Sequence, residues 1–304
     1  MDAKLNAVLT ALNSVVLGKE HQVKLALSCL LAKGHLLIED LPGMGKTTLS
    51  HALANVLGLQ YQRIQFTSDM LPADIVGGSI YQRDEATQQG RFVFHPGPVF
   101  SQVVLADEIN RATPKTQSAL LEAMEERQVS IDGQTHPLPQ PFFVIATQNP
   151  ISQSGTFTLP ESQLDRFLMR IELGYPNAEA ERALLEGRSQ STSKVTELMN
   201  VDELNYYQAR VIQVTASSAL LDYIQRIVTQ TREHGSLRYG LSPRATLALL
   251  NTAKSWALLQ GRDHVIPDDV QAIFPYVAQH RLEDALVDAH SNICADILNT
   301  VPVL

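Results

Sequence analysis

A phosphate-binding loop is predicted where an apolar strand runs into a turn rich in Pro and Gly. The turn reads Leu41-Pro42-Gly43-Met44-Gly45-Lys46-Thr47-Thr48, and a helical pattern follows it directly. Backbone N–H groups of such a loop point at phosphate oxygens, and the helix N-terminus adds partial positive charge. Lys46 would reach the outer phosphates, and the Thr47 hydroxyl is placed to hold Mg²⁺. The residues from Pro42 to Thr48 therefore predict a site for a nucleoside triphosphate such as ATP.

The loop departs from the general pattern G-x-x-x-x-G-K-[ST] at one position. Asp40 stands where the pattern has its first glycine. A carboxylate beside a polyphosphate is unfavourable unless it points away, so the entry to the loop is in question. Gly43 and Gly45 are retained where the backbone must approach the ligand closely. The alternative from the loop alone is a Gly-rich turn with an incidental lysine.

Two adjacent acids, Asp107 and Glu108, follow the apolar segment 103–106. Ligands of open α/β sheets bind at the carboxyl ends of the strands, so both acids are expected at the phosphate site. Asp107 would hold Mg²⁺ through water, opposite Thr47. Glu108 would orient and polarise the attacking water, since phosphoryl transfer depends mainly on positioning and charge neutralisation. The alternative is a strand that ends in solvated acids.

A polar amide, Asn149, ends a second apolar segment at 142–147. If this segment neighbours the strand that carries Asp107, the amide could hydrogen-bond the γ-phosphate or the attacking water. An asparagine that merely starts a turn before Pro150 is the alternative.

Strands that alternate with helices must position these groups. The predicted strands are 35–38, 61–66, 102–106, 142–147 and 168–173, and the helices between them are 46–57, 114–126 and 177–186. This order predicts a parallel sheet covered on both faces. The third and fourth strands are almost continuously apolar, which is typical of central strands.

Two β-hairpins are predicted to project from this sheet. One pairs 79–82 with 91–95, and the other pairs 128–131 with 135–138 across Asp132-Gly133, a strong turn signal. Helical stripes at 5–16 and 20–33 precede the sheet, and a Ser/Thr-rich linker at 189–195 follows it. The remaining segments are helical, at 201–211, 217–233, 243–260 and 267–278. We therefore expect an α/β nucleotide-binding core over residues 1–190 and a helical domain over 191–304.

Composition narrows the function classes. The chain has 304 residues and a net charge of −8, which argues against a broad nucleic-acid footprint but leaves open a local basic channel in an oligomer. No apolar run approaches the ~20 residues that a membrane span needs. Cys29 and Cys294 lie in apolar helical patterns and predict buried free thiols in a reducing cytoplasm. The nine histidines are scattered without metal-ligand spacing.

Several sequence words resemble the MoxR family of AAA+ ATPases, over nearly the whole chain. They are LLIEDLPGMGKT at 36–47, RIQFT at 63–67, DEINRA at 107–112, ATQNP at 146–150 and LPESQLDRF at 159–167. The resemblance implies a AAA+ core, with a parallel sheet between helices and β-hairpin insertions, and a C-terminal all-α lid. It also accounts for Asp40, since Glu-Asp at this point is similar to the family pattern.

The resemblance assigns further roles. Asn149 matches the sensor-1 position, and Arg166 matches the arginine finger that reaches the nucleotide of the neighbouring subunit. Arg244 resembles the sensor-2 arginine, which should contact the γ-phosphate from the same chain, and Gly18 lies in the segment expected to flank the adenine. The ordinary alternatives are a helix-end salt bridge for Arg166 and a solvated first-turn residue for Arg244. Whether Arg111 belongs to an interface or to the pocket stays open.

The resemblance implies a motor that binds ATP and Mg²⁺ in a homo-oligomeric ring, expected to be a hexamer. Such a motor would remodel, mature or assemble partner complexes, including metal- or cofactor-containing enzymes, and its partners would carry von Willebrand factor A-type domains. One alternative is a subunit like the magnesium-chelatase motor. Another is a nucleotide-gated binding module that does not hydrolyse ATP. A DNA helicase is disfavoured by the acidic balance.

Overall fold

The computed structural model describes residues 2–83, 90–149, 155–188, 192, 195–282 and 293–303. Within them the strands follow one another as β1 (Leu36–Glu39), β2 (Tyr61–Gln65), β3 (Gly77–Arg83), β4 (Gly90–Pro96), β5 (Val103–Asp107), β6 (Gln128–Ile131), β7 (Gln134–Pro137), β8 (Phe143–Gln148) and β9 (Met169–Ile171).

The helices precede, separate and follow these strands. They are α1 (Ala3–Val15), α2 (Glu20–Leu31), α3 (Lys46–Val56), α4 (Pro72–Val76), α5 (Pro114–Glu126), α6 (Glu161–Leu164), α7 (Ala178–Leu185), α8 (Val201–Gln213), α9 (Ser218–Glu233), α10 (Pro243–Leu259), α11 (Pro267–Leu282) and α12 (Ile293–Thr300). A short 3₁₀ turn, Ile109–Arg111, follows β5.

Five parallel strands form the central sheet, in the order β2-β5-β8-β1-β9. The predicted parallel sheet is therefore confirmed, including the pairing of β5 with β8 that the Asn149 argument needs. The apolar strands β5 and β8 lie inside the sheet, as their sequences predict. The strand predicted at 168–173 is shorter than expected and spans only Met169–Ile171.

Alternate residues of the central strands enter two apolar clusters on opposite faces of the sheet. Along β5, Val103 and Leu105 belong to the larger cluster, whereas Val104 and Ala106 belong to the smaller one. The larger cluster contains α1, α2, α3 and the C-terminal helices, and the smaller one contains residues of α4 and α5. The two-residue period of the strands thus sandwiches the sheet between helices.

Both predicted hairpins are present. β3 pairs with β4, although residues 84–89 of the loop between them lie outside the described part. β6 pairs with β7 across Asp132 and Gly133, which have φ values of 51° and 76°. Positive φ at both central residues is the geometry that favours an Asp-Gly turn in a two-residue hairpin.

The C-terminal helices pack on the larger cluster. Ser242 caps α10 by accepting a hydrogen bond from the Ala245 N–H, and Pro243 occupies the first turn, as the sequence predicts. One apolar cluster continues from α1 to α12, and most of the linker predicted at 189–195 lies outside the described residues. The division at residue 190 therefore stays a prediction. None of the described helices has the length and apolar character needed to cross a membrane.

Candidate nucleotide-binding site

The phosphate loop joins the carboxyl end of β1 to the first turn of α3. Gly43 and Gly45 have φ values of 85° and 94°, a left-handed conformation that side chains rarely adopt. Open space lies where a Cβ atom would stand on either glycine. The loop therefore offers a cradle of backbone N–H groups that ends at the helix N-terminus, which suits a phosphate group.

Lys46 points into this cradle. The side chain is buried, and its Nζ donates a hydrogen bond to the Asp40 carbonyl oxygen at 2.7 Å. Burial lowers the pKa of Lys46, while the nearby carboxylates of Asp107, Asp40 and Glu108 act in the opposite direction. An ammonium group surrounded in this way is placed to bind a polyanion that enters the loop.

The carboxylate of Asp40 points away from the cradle, which resolves the departure from the general pattern. One oxygen accepts a hydrogen bond from the Leu41 N–H at 2.8 Å. The other accepts from the N–H groups of Leu173, at 2.8 Å, and Gly174, at 2.6 Å. Asp40 therefore ties the start of the loop to the chain after β9 and does not compete for the phosphate site.

Asp107 ends β5 at the opening of the loop. Its Oδ1 accepts a hydrogen bond from the Thr147 hydroxyl at 2.6 Å, and its Oδ2 pairs with the Arg63 guanidinium, also at 2.6 Å. The same Thr147 oxygen accepts the Glu108 N–H at 2.8 Å. The Thr147 hydroxyl thus fixes the side chain of Asp107 and the backbone of Glu108 relative to each other.

Glu108 adopts a left-handed backbone conformation with φ of 56°, an uncommon geometry for a residue other than glycine. Its carboxylate accepts hydrogen bonds from the side chains of Asn149, at 3.1 Å, and Gln65, at 3.0 Å. Arg111 forms an ion pair with the same carboxylate at 3.1 Å. The structure therefore brings Asn149 and Arg111 to Glu108 and places both beside the pocket.

One open cleft collects most of the predicted residues. Its lining comprises Pro42, Gly43, Gly45, Lys46, Thr47, Thr48, Arg63, Gln65, Asp107, Glu108 and Asn149. Met44 instead packs against the larger apolar cluster. Sequence reasoning did not single out Arg63, Gln65 or Thr147. The available signal was positional, since Gln65 is the ladder partner of Asp107 and Thr147 lies near the end of the next strand.

Gly18 lies beside the entry to the loop and not in this cleft. A Cβ on Gly18 would stand 2.6 Å from the Ala180 Cβ, so only glycine permits the approach to α7. The adjacent Lys19 donates through Nζ to the Gly174 carbonyl at 2.7 Å, and Gly174 in turn donates to Asp40. This chain of contacts fixes the segment predicted to flank the adenine against the start of the phosphate loop.

Arg166 and Arg244 lie together in a different pocket. The contact of Arg244 with the γ-phosphate of its own chain stays a prediction. Arg166 pairs with Glu125 at 3.0 Å, and Arg244 pairs with the other oxygen of the same carboxylate. That pocket and the nucleotide cleft share none of their lining residues. Arg244 takes this position because α10 packs on α2 and α8, which sets its first turn beside the end of α5.

The turn that carries Arg166 is anchored by Arg281 of α11. The buried Arg281 guanidinium donates to the Asp165 carboxylate at 2.7 Å and to the Phe167 carbonyl at 2.8 Å. It also donates to the carbonyl oxygens of Asp165 and Leu168. The backbone on both sides of Arg166 is therefore fixed, while the Arg166 side chain keeps about a quarter of its surface exposed, at 27%.

The residues of the cleft fit a nucleoside triphosphate with Mg²⁺. The cradle is open, Lys46 is desolvated within it, and the hard oxygen atoms of Thr47 and Asp107 line the same cleft. Mg²⁺ in nucleotide sites takes one or two protein oxygen ligands and completes its shell with phosphates and water. Thr47 and Asp107 are the residues that would hold it.

Comparisons with known proteins agree with this geometry. The model of the ATPase family associated with various cellular activities (AAA) matches residues 35–169, and the AAA lid domain model matches residues 229–298. Chaperone MoxR1 of Mycobacterium tuberculosis is 43% identical over 90% of this chain and 75% of its own. The uncharacterized protein YeaC of Bacillus subtilis is 46% identical over 89% of this chain and 84% of its own.

A crystal structure from Cytophaga hutchinsonii, described provisionally as an ATPase, has the same fold. It superposes with a TM-score of 0.88, covers 99% of this chain and 95% of its own, and is 34% identical. The family models and these relatives together match almost the whole chain, from the phosphate loop to the C-terminal helices. The chain belongs to the MoxR family of AAA+ ATPases.

Proposed function

We propose that this protein hydrolyses ATP at the interface between copies of itself and uses the reaction to remodel a client protein complex. One observation carries the proposal. The phosphate loop, the two acids and Asn149 share one cleft, whereas Arg166 and Arg244 lie in another pocket of the same chain. A neighbouring subunit would complete the site by supplying Arg166 and Arg244, which the cleft lacks within one chain.

Within one chain, the cleft supplies binding and water activation. Lys46 and the loop N–H groups would bind the phosphate tail. Glu108 would accept a proton from the attacking water or polarise it. Asn149 donates a hydrogen bond to Glu108 and would help to orient the attacking water. Bound Mg²⁺, held by Thr47 and Asp107, would neutralise phosphate charge. The pairing of Glu108 with Arg111 and Gln65 keeps its carboxylate at the mouth of the cleft.

The neighbour would supply positive charge. The pocket of Arg166 and Arg244 is also lined by Lys33, Arg127 and Arg281, against two carboxylates, those of Glu125 and Asp165. This surplus of cations matches the triphosphate of an adjacent subunit. An arginine supplied in trans can raise the rate of phosphoryl transfer by ~10³–10⁵. We therefore assign the trans role to Arg166 and, in place of the role within its own chain, to Arg244.

The purpose of ATP hydrolysis, the remodelling of a client complex, is proposed from the family to which the chain belongs. A relative that matches nearly the whole chain is named a chaperone. We propose a ring, expected to be a hexamer, whose client is a complex that contains a von Willebrand factor A-type protein or a maturing metal- or cofactor-containing enzyme. The two hairpins would contact this client. The exposed side chains of Ile80, Tyr81 and Phe92 on the first hairpin support that placement.

We place the protein in the cytoplasm. The thiols of Cys29 and Cys294 are both buried, and burial strongly raises the pKa of Cys29. Unreactive thiols of this kind suit a reducing compartment and have no part in the proposed chemistry.

The first experiment tests the shared site. Specific ATPase activity should rise with protein concentration, because assembly completes the site. Arg166→Ala should abolish hydrolysis while ATP still binds, and Arg182→Ala is the matched control because that arginine is exposed on α7. Activity that does not depend on concentration, or that survives in Arg166→Ala, would contradict the shared site.

The second experiment tests the client. Glu108→Gln should bind ATP but hydrolyse it poorly, whereas Lys46→Ala should not bind it. A pull-down from native lysate with Mg-ATP should retain a von Willebrand factor A-type protein, or a maturing metalloenzyme, with Glu108→Gln only. Retention of chelatase subunits or nucleic-acid proteins would contradict the proposed client.

A further inference from the structure

We propose that Glu125 is a positioning residue that holds Arg166 and Arg244 as a pair, ready for the nucleotide of the neighbouring subunit. The inference rests on the proposed function, since it requires that these arginines act in trans. It adds a residue that neither the sequence motifs nor the nucleotide cleft identifies.

The geometry is a carboxylate shared by two guanidinium groups. Glu125 lies at the end of α5, and its Oε2 accepts from the Arg166 Nε at 3.0 Å. Its Oε1 accepts from the Arg244 Nη2. Arg166 follows the short helix α6, whereas Arg244 is in the first turn of α10, so Glu125 joins two elements that are distant in sequence. Fixing both side chains removes rotamer freedom before the phosphate arrives.

The negative charge of Glu125 balances the positive charges of the arginines around it. Arg166, Arg244 and the buried Arg281 line one pocket, and like charges at short range repel unless an anion lies between them. Asp165 is already engaged by Arg281. Glu125 accordingly forms ion pairs with Arg166 and Arg244, and the two arginines lower the pKa of its carboxyl group. Without this carboxylate, the two arginines would separate into solvent, since half of the Arg244 side chain is exposed, at 50%.

The arrangement also suits release of the pair toward a ligand. Glu125 keeps about a third of its surface exposed, at 32%, so the ion pairs lie at the rim of the pocket. Ion pairs in such a position are weak, and a triphosphate can take over one or both guanidinium groups at little cost. The carboxylate therefore orients the arginines without sequestering them.

The test uses Glu125→Gln, with Glu126→Gln as the matched control on the neighbouring exposed residue. We expect Glu125→Gln to lower the ATPase rate of assembled protein at least 10-fold and to leave ATP affinity of dilute protein within 2-fold of the wild type. Glu126→Gln should match the wild type in both measurements.

Mixed assemblies locate the defect. In a mixture with Lys46→Ala, the Glu125→Gln subunits keep an intact loop and receive intact arginines, so activity should return. In a mixture with Arg166→Ala, no interface combines an intact loop with an intact pair, so activity should stay low. Rescue with Lys46→Ala also demonstrates that the Glu125→Gln chain folds.

A readout independent of hydrolysis completes the test. In a Glu108→Gln background, release of a fluorescent ATP analogue from assembled protein should be at least 5-fold faster with Glu125→Gln than with Glu126→Gln. Equal release rates, or equal rescue by both partners, would overturn the positioning role. The reference mixture of Arg166→Ala with Lys46→Ala separates the two proposals: without rescue there, the shared site itself is wrong and this inference falls with it.

Discussion

Replacing Asp40 by glycine would give the loop the first glycine of the general phosphate-loop pattern, yet we expect the replacement to destabilise the protein. The carboxylate of Asp40 accepts three backbone N–H groups, from Leu41, Leu173 and Gly174. The bonds from Leu173 and Gly174 connect the loop to the chain that follows the edge strand β9. A glycine keeps the backbone conformation accessible but removes all three acceptors.

The loss of unfolding free energy depends on which N–H donors are left without an acceptor. Leu41 is exposed, so its N–H can turn to water, whereas Leu173 is buried and Gly174 is partly buried. A hydrogen bond to a charged group contributes about 1.5–3 kcal/mol, so two such losses amount to about 3–6 kcal/mol. The buried Lys19 also loses the carboxylate that favours its charged form. This sum is a large part of the about 5–15 kcal/mol that stabilises an ordinary domain.

Urea unfolding measures the prediction, with far-UV circular dichroism for the whole chain and fluorescence of the single tryptophan, Trp256, for α10. Asp40→Asn can keep a neutral acceptor oxygen for the Leu173 and Gly174 N–H groups, which share one oxygen of Asp40. A bond to a neutral acceptor contributes about 0.5–1.5 kcal/mol, so this variant should lose about half as much free energy of unfolding as Asp40→Gly. Unfolding of Asp40→Gly at the wild-type urea concentration would refute the reasoning. So would equal losses in the two variants, because the number of retained acceptors would then not matter.

Three further perturbations test other parts of the molecule. Burial lowers the pKa of His35 to about 4, below its unfolded value, so the unfolded chain binds the extra proton as the pH falls from 6.5 to 4. The free energy of unfolding should therefore decrease by about 3 kcal/mol over that window, and His35→Gln should remove this part of the pH dependence in urea titrations. Arg63→Gln should lower the Mg²⁺ concentration for half-maximal ATP binding by about 2- to 5-fold, because an ion pair of up to about 1 kcal/mol, half-exposed on its Arg63 side, no longer competes for Asp107. A magnesium titration followed by a fluorescent nucleotide measures this, and an unchanged midpoint would contradict it. Arg281→Met should cost about 3–5 kcal/mol of unfolding free energy in urea, because Asp165 loses its buried partner.

The sequence is informative about this fold wherever a local pattern has one physical solution. Continuous apolar runs at β5 and β8 predict interior strands, and both strands lie inside the sheet. The Asp132-Gly133 pair predicts a two-residue hairpin, and both residues have the required positive φ. Each of these outcomes depends on neighbours within a few residues, so the sequence alone carries the information.

The phosphate loop shows where local reasoning becomes incomplete. The pattern places Lys46 and Thr47 correctly, and the cleft contains both. It cannot say where the Asp40 carboxylate points, because the N–H groups that donate to it in the fold, those of Leu173 and Gly174, lie more than 130 positions later. Only the parallel neighbour β9, beside β1, brings them within hydrogen-bond distance.

The position of Arg244 depends on packing at still longer range, which the motif alone does not specify. A first-turn arginine after a Ser cap can face whichever surface its helix is packed beside, and the motif does not specify that surface. Here α10 packs on α2 and α8, which sets its N-terminus next to Glu125 and the Arg166 turn. The arginine of such a motif can therefore contribute to a site in its own chain or in a neighbour, depending on how its helix packs. For this chain we propose the neighbour. A mixture of Arg244→Ala with Lys46→Ala measures that choice, because activity returns there only if the arginine acts on the adjacent subunit.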